Sequence, residues 1–340
     1  MRLVMMGTGP FAVPTFEALL DSRHQVVTLY TRPSPPFRGR GPGPVNPMRM
    51  AAERRGVPVL DPANINDEST QQELAALSAD LLVVCDYGQI LKASTLATAR
   101  LGGINLHGSL LPRYRGAAPV QWAVYAGDPR TGVSVIHMTP LLDGGPVIAV
   151  RETEIDENET AGELESRLSR LGVPSVFEAL DLLESWDGKT PLGALQDPSL
   201  ACKAPRITKQ DGSINWARTA VQIRNQIRAF QPWPGSFTHW KSPKGEWIRI
   251  IVDRVTLTPD SASLTTSQPS VTSGANPASI NRAPGQVVVS DGRQLRIATG
   301  NGELSIDRLQ PAGKRVMEVG EFLRGYPVRV GDRFENPPAA

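Results

Sequence analysis

The sequence predicts an α/β protein in two parts, a domain built on a parallel sheet followed by a smaller β-barrel. Three observations lead there. The first 200 residues alternate short apolar strands with amphipathic helical stretches, the pattern of βαβ units. From Arg206 onward the texture changes to short strands separated by Gly, Pro, Asn and Asp, which suits a small barrel. A length of 340 residues exceeds what one hydrophobic core comfortably serves, so two domains are expected, 1–204 and 205–340.

The strands of the first part are expected at Leu3–Met6, Val26–Thr31, Leu81–Cys85, Ile104–His107, Val133–Met138 and Val147–Thr153. Helices are expected at Phe11–Leu20, Pro47–Arg55 and Glu68–Leu77. Thr160 with Glu163 three residues on has capping-box spacing, and Leu164, Leu168 and Leu171 then share one face. In the second part, Thr219–Phe230 reads as a helix and Ile248–Val252, Gln286–Val289, Leu295–Thr299 and Leu304–Leu309 as strands. Residues 259–283, rich in Ser, Thr, Pro, Asn and Ala, read as a disordered extension.

Hydrophobic residues make up 40% and charged residues 21% of the chain, the composition of an ordinary globular protein. No run approaches a membrane span, and MRLVMMGTGP enters a strand with no signal-peptide pattern, so a cytoplasmic location is expected. Cys85 and Cys202 lack any CxxC or Cys/His spacing; they support neither a disulfide framework nor a zinc site and are expected to be buried thiols. The net charge of +2 conceals an asymmetry. Residues 206–340 hold 18 Lys+Arg against 11 Asp+Glu, a charge of +7, which leaves −5 for the rest. A basic module of this kind suggests an anionic partner, with nucleic acid the commonest; a merely solvated basic face is the alternative.

Several motifs carry chemistry, each beside a plainer reading. Gly7-Thr8-Gly9-Pro10-Phe11-Ala12 follows a strand and opens a helix, as a dinucleotide fingerprint does, yet no acidic residue ends the second strand. A tight strand-to-helix turn is the competing explanation. Asn105 and His107 alternate along one strand and so share a face, near the sheet edge where open α/β folds bind ligands. An amide beside an imidazole suits a carbonyl or oxyanion, although a strand-end histidine taken alone is more often structural. Asp143, in a loop before Val147, can orient and charge His107, or simply make an Asp-Gly turn. Arg38 and Arg40 lie in a Pro/Gly-rich loop and can grip phosphate; incidental surface charge explains them as well. Trp233, bracketed by prolines in QPWPG, is expected to pack at a domain corner.

Taken in order along the chain, GTGPFAVPTFEALL, DYGQIL, GGINLHGSLLPRYRGAAPVQWA, LLDGGPVI, ITKQDGSINW and IRAFQPWPG resemble the methionyl-tRNA formyltransferase family of folate-dependent enzymes. The resemblance implies a Rossmann-like parallel-sheet domain and an OB-like barrel. It implies catalytic roles for Asn105, His107 and Asp143, tetrahydrofolate binding by Ser109, Leu110, Leu111 and Pro112, and a pterin pocket lined by Gly88, Gln89 and Ile90. It implies tRNA contacts at Arg38, Arg40, Arg206 and Lys209. The donor would be 10-formyltetrahydrofolate, with no metal, and the acceptor initiator methionyl-tRNA, the enzyme a monomer without an obligatory protein partner. In place of the lysines that family members carry after the loop arginine, this chain reads Gly41-Pro42-Gly43-Pro44. An NADP-dependent oxidoreductase and an RNA-binding module with a decayed α/β domain are the rival readings.

Overall fold

The computed structural model describes residues 1–34, 45–262 and 282–337. Two compact units emerge: Met1–Ala123, Pro129–Asp156 and Glu163–Arg206 form the first, and Val124–Asp128, Glu157–Gly162 and Ile207–Ala340 the second.

The strands of the first unit are β1 (Arg2–Met6), β2 (Gln25–Tyr30), β3 (Val59–Leu60), β4 (Leu81–Val84), β5 (Gly103–His107), β6 (Arg115–Gly116), β7 (Arg130–His137), β8 (Val147–Glu154) and β9 (Lys203–Ala204). Among the described residues, seven of them form one sheet in the order β3-β2-β1-β4-β5-β7-β8. The first five run parallel. β7 pairs antiparallel with β5, and β8 antiparallel with β7, the latter because a short connection from β7 to β8 cannot make the crossover a parallel neighbour requires. Residues 3–6 and 81–84 are entirely buried, as central strands covered on both faces must be.

Helices α1 (Val13–Leu20), α2 (Pro47–Arg54), α3 (Glu68–Ala76), α4 (Ala93–Leu96), α5 (Pro119–Ala126) and α6 (Ala161–Glu184) alternate with these strands. Local chemistry sets where they begin. Asn46 caps α2 by accepting from the Arg49 N–H at 3.0 Å, with Pro47 at the first helical position. Along α6, Leu164, Leu168, Val176, Leu180 and Leu183 supply the buried stripe, while Leu171 stays half-buried.

In the second unit, α7 (Ala220–Ala229) starts with a reciprocal capping box between Thr219 and Gln222. The strands that follow are β10 (Ser236–Lys241), β11 (Trp247–Leu257), β12 (Val287–Ser290), β13 (Leu295–Ala298), β14 (Glu303–Pro311), β15 (Met317–Glu318) and β16 (Phe334–Glu335), with short helices α8 (Pro259–Ala262) and α9 (Val319–Gly325). The described sheet is antiparallel, ordered β12-β13-β14-β11-β10-β16. A bridge between Gln286 and Arg333 then ties its first strand to its last and curls the sheet into a barrel. Trp240, Ile297, Leu304 and Phe322 lie in the barrel core at 1% exposure or less, each contributing roughly 1.5–3 kcal/mol by burial.

Three expectations need correction. Pro259–Ala262, placed in the disordered extension, form a helical turn; Ser261 is buried, and its hydroxyl accepts from the Glu303 N–H at 2.8 Å. Residues 263–281 of that extension lie outside the described residues. Trp233, expected to pack at a corner, is instead 53% exposed. Cys85 is buried but Cys202 is exposed, lying beside β9 in a segment that covers no core.

Candidate active site

A cavity of about 450 Å³ opens in the first unit, bounded by the end of β5, the residues after β4 and the loop after β7. Alternation along β5 brings Asn105 and His107 to it together. Asp143 enters from the loop. It is held in the left-handed region at φ 47°, which Asp tolerates better than most residues because its short side chain bonds locally.

These three side chains meet. Asn105 Nδ2 donates to Asp143 Oδ1 at 3.4 Å. His107 Nδ1 lies 3.9 Å from the same oxygen. The second oxygen, Oδ2, accepts from the Gly116 N–H at 2.9 Å. His107 Nε2 donates to the Tyr114 carbonyl at 2.9 Å, because a carbonyl can only accept. The imidazole is thereby oriented, with Nδ1 turned toward the carboxylate. Both partners are well enclosed, the side chains being 6% and 11% exposed. Low local dielectric strengthens such an ion pair once the ring is protonated.

Gly116 is needed where it stands. Its φ is 132°, and a Cβ there would meet the Ala204 carbonyl oxygen at 2.4 Å, the close approach that pairs β6 with β9. The N–H that reaches Asp143 depends on that packing.

Gly88, Gln89 and Ile90 also line the cavity, together with Leu91, Met138 and Leu142, giving an apolar wall for a flat ring. Gln89 is fixed by accepting from the Ile65 N–H at 2.9 Å and donating to the Pro62 carbonyl at 3.1 Å. Ser109, Leu110, Leu111 and Pro112 do not line it. Ser109 is fully buried and donates to the Arg113 carbonyl at 2.7 Å, and the Leu111 N–H donates to Ser134 Oγ at 3.1 Å. The tetrapeptide is thus tied to β7 and to its own turn. Arg206 lines the cavity, whereas exposed Lys209 opens a 3-10 turn in the second unit. Arg38 and Arg40 lie outside the described residues.

The glycine fingerprint serves packing. The Gly7 N–H donates to the Tyr30 carbonyl at 2.9 Å and the Thr8 N–H to the Asp86 carbonyl at 2.9 Å, so these two donors are already engaged. A Cβ on Gly9 would fall 1.7 Å from Asp86 Oδ2.

Asp86 and Glu165 were not foreseen, and both face the cavity. Crowding by protein raises the Asp86 pKa to about 7, with the Glu165 carboxylate adding to the shift. Burial likewise raises Glu165, against a hydrogen bond from Gln121. Asp86 opens the DYGQIL segment without having been assigned a role, and Glu165 belonged to no motif, since a lone acid on a helix looks like any solvated charge. Among the described residues no cluster of three or more His, Cys, Asp or Glu is arranged to hold a metal.

The chain resembles known proteins along its length. A family model described as formyl transferase matches residues 1–180, and one described as formyl transferase, C-terminal domain, matches 206–327. The chain is 48% identical to methionyl-tRNA formyltransferase of Rhodopirellula baltica, covering 99% of this chain and 97% of that one. It is 40% identical to that of Gluconobacter oxydans, covering 98% and 100%. Among solved structures, the sugar 3N-formyl transferase WlaRD shares the fold at a TM-score of 0.60 and 15% identity, over 93% of this chain and 99% of that one. HypX from Aquifex aeolicus, in complex with tetrahydrofolic acid, does so at 0.58 and 15%, over 99% and 51%.

Proposed function

The chain belongs to the methionyl-tRNA formyltransferase family, whose reaction moves a formyl group from 10-formyltetrahydrofolate to the α-amine of initiator methionyl-tRNA, and we propose that Asn105, His107 and Asp143 carry that reaction here. The observation that supports the assignment is the meeting of all three at one carboxylate beside an apolar wall.

Bound against Gly88, Gln89 and Ile90, the folate supplies the formyl carbon that the amine attacks. Asn105 donates to the carbonyl oxygen as it gains charge. Protonated His107 offers the Nδ1–H to the same oxygen, its other nitrogen being held by Tyr114. Asp143 lies against the imidazole, takes the proton that the attacking nitrogen must lose, and returns it to the departing folate nitrogen, directly or through water. Donors of this kind are each worth about 10²–10³ in kcat.

Ser109, Leu110, Leu111 and Pro112 support folate binding by fixing the turn between β5 and β6. Residues 1–204 form the catalytic domain and 205–340 the tRNA-binding domain; its +7 charge supports the second role. Arg206 and Lys209 bind the tRNA backbone, as do Arg38 and Arg40. The enzyme works as a cytoplasmic monomer, where charged initiator tRNA is used.

A formyl-transfer assay comparing methionyl initiator tRNA, uncharged tRNA and glycinamide ribonucleotide tests the acceptor. Transfer to the ribonucleotide in preference to the charged tRNA would overturn it. Replacing Lys209 by Ala should weaken tRNA binding and flatten its salt dependence, leaving folate affinity unchanged.

A further inference from the structure

We propose that Gln196 is a positioning residue for formyl transfer, acting through Asp143; this deepens the reading of Asp143 given above and rests on it. Nothing in the sequence around Gln196 singles it out. The segment Thr190-Pro191-Leu192-Gly193-Ala194-Leu195 before it has no periodicity, and Leu195 is 90% exposed.

The side-chain amide of Gln196 makes four hydrogen bonds. Nε2 donates to the Asp143 carbonyl at 2.8 Å and to the Gly145 carbonyl at 2.7 Å. Oε1 accepts from Arg115 Nε at 3.0 Å and Nη2 at 2.6 Å. Two amide hydrogens and two lone pairs are the whole capacity of the group, so no other orientation satisfies it equally. The guanidinium fork makes the Arg115 end a charge-assisted, bidentate grip.

Arg115 and Gly116 therefore reach Asp143 by two routes. The Gly116 N–H holds the carboxylate directly, and Arg115 holds the Asp143 backbone through Gln196. The strand that carries both is itself fixed, with the Arg115 N–H donating to the Cys202 carbonyl at 2.9 Å and Gly116 paired with Ala204. At the other end, Ala194 and Val147 exchange both backbone hydrogen bonds at 2.8 Å, which sets Gln196 in register with the loop.

Such a brace is required because the loop has little else to hold it. Leu141 and Leu142 are 60% and 53% exposed, Gly144 and Gly145 follow Asp143, and its φ is positive. Apolar burial cannot fix a carboxylate in that setting, and hydrogen bonds to the main chain can. Polar contacts that place a reacting group to within a fraction of an ångström act on turnover more than on binding.

The test is a double-mutant cycle under single-turnover conditions, using 10-formyltetrahydrofolate and methionyl initiator tRNA. Gln196→Ala is expected to lower the transfer rate about 10- to 100-fold while KM for the folate stays within about twofold, as displacement of a catalytic group does. Gln196→Glu keeps the Arg115 bonds but aims a carboxylate at two carbonyls. It should show at least the same loss with a Tm lowered only modestly, because the Arg115 bonds remain, and it carries the test if the alanine variant unfolds. In an Asp143→Asn background, Gln196→Ala should add less than about twofold, because the group it aims is already disabled. A full multiplicative penalty in the double variant, or a wild-type rate in Gln196→Ala beside a slow Asp143→Asn, would overturn the proposal. A wild-type rate in Asp143→Asn itself is a different result, which brings down the catalytic reading of Asp143 and the proposal with it.

Discussion

His107 spends one ring nitrogen on structure: Nε2 donates to the Tyr114 carbonyl at 2.9 Å, and Nδ1 lies 3.9 Å from Asp143 Oδ1 beside the cavity. The two nitrogens can be separated by substitution. In His107→Gln the side-chain amide can still reach Tyr114 but offers nothing at the Nδ1 position. The expected outcome is a Tm close to wild type with kcat lower by about 10²-fold or more, read by a transfer assay and thermal unfolding. Retained turnover would show that Nδ1 is dispensable.

Asp143 combines a charge with a left-handed backbone. Asn keeps the backbone preference and one oxygen for the Gly116 N–H, but its amino group then faces that of Asn105. Asp143→Asn should therefore lose most turnover at nearly unchanged stability, whereas Asp143→Ala should also lose about 1–2 kcal/mol from the positive φ. Denaturant unfolding of the two variants side by side checks the difference.

Asp86 makes stability depend on pH. Its pKa rises from the ordinary 3.8 to about 7 in the folded chain, through burial first and Glu165 second. Between those values the folded state binds more protons than the unfolded state, so this group's contribution falls as pH rises. Asp86→Asn removes that slope. The Tm of the variant relative to wild type should increase from pH 4 to pH 7 and then level off; a constant difference would contradict the assignment.

Gly9 has an ordinary φ of −89°, so alanine there is not excluded by its backbone. It is excluded by Asp86 Oδ2, 1.7 Å from the added methyl. Gly9→Ala should cost about 1–3 kcal/mol by overpacking, and Asp86→Ala in the same chain should restore most of it. Chemical denaturation of the pair and the two single variants measures the coupling.

Ser261 anchors α8 to β14, its hydroxyl bonded to both the N–H and the carbonyl of Glu303. Ser261→Ala removes the partner of a partly buried N–H, which costs about 1 kcal/mol. Thermal unfolding should register it.

What the sequence determined by itself is whatever repeats with a short period or ends in a recognisable residue. Short apolar runs located β1, β4, β5 and β7 to within a few residues, and the Thr219–Gln222 spacing located α7. Alternation put Asn105 and His107 on one face, because a strand's period of two is a local property. The same reasoning failed at β10, where the inward residues are Ser236, Thr238 and Trp240: two of the three are polar, and Thr238 is buried only because its hydroxyl accepts from Trp216 Nε1 at 3.1 Å. A local pattern cannot reveal a partner 22 residues away.

Tertiary structure decided the rest of the site. Asp143 joins His107 across 36 residues and Gln196 reaches Asp143 across 53, while Asp86 and Glu165 share one cavity from a loop and a helix. Gln196 and Glu165 look ordinary among their chain neighbours. Their roles come from distances set by sheet order and loop closure, quantities fixed when the whole unit packs.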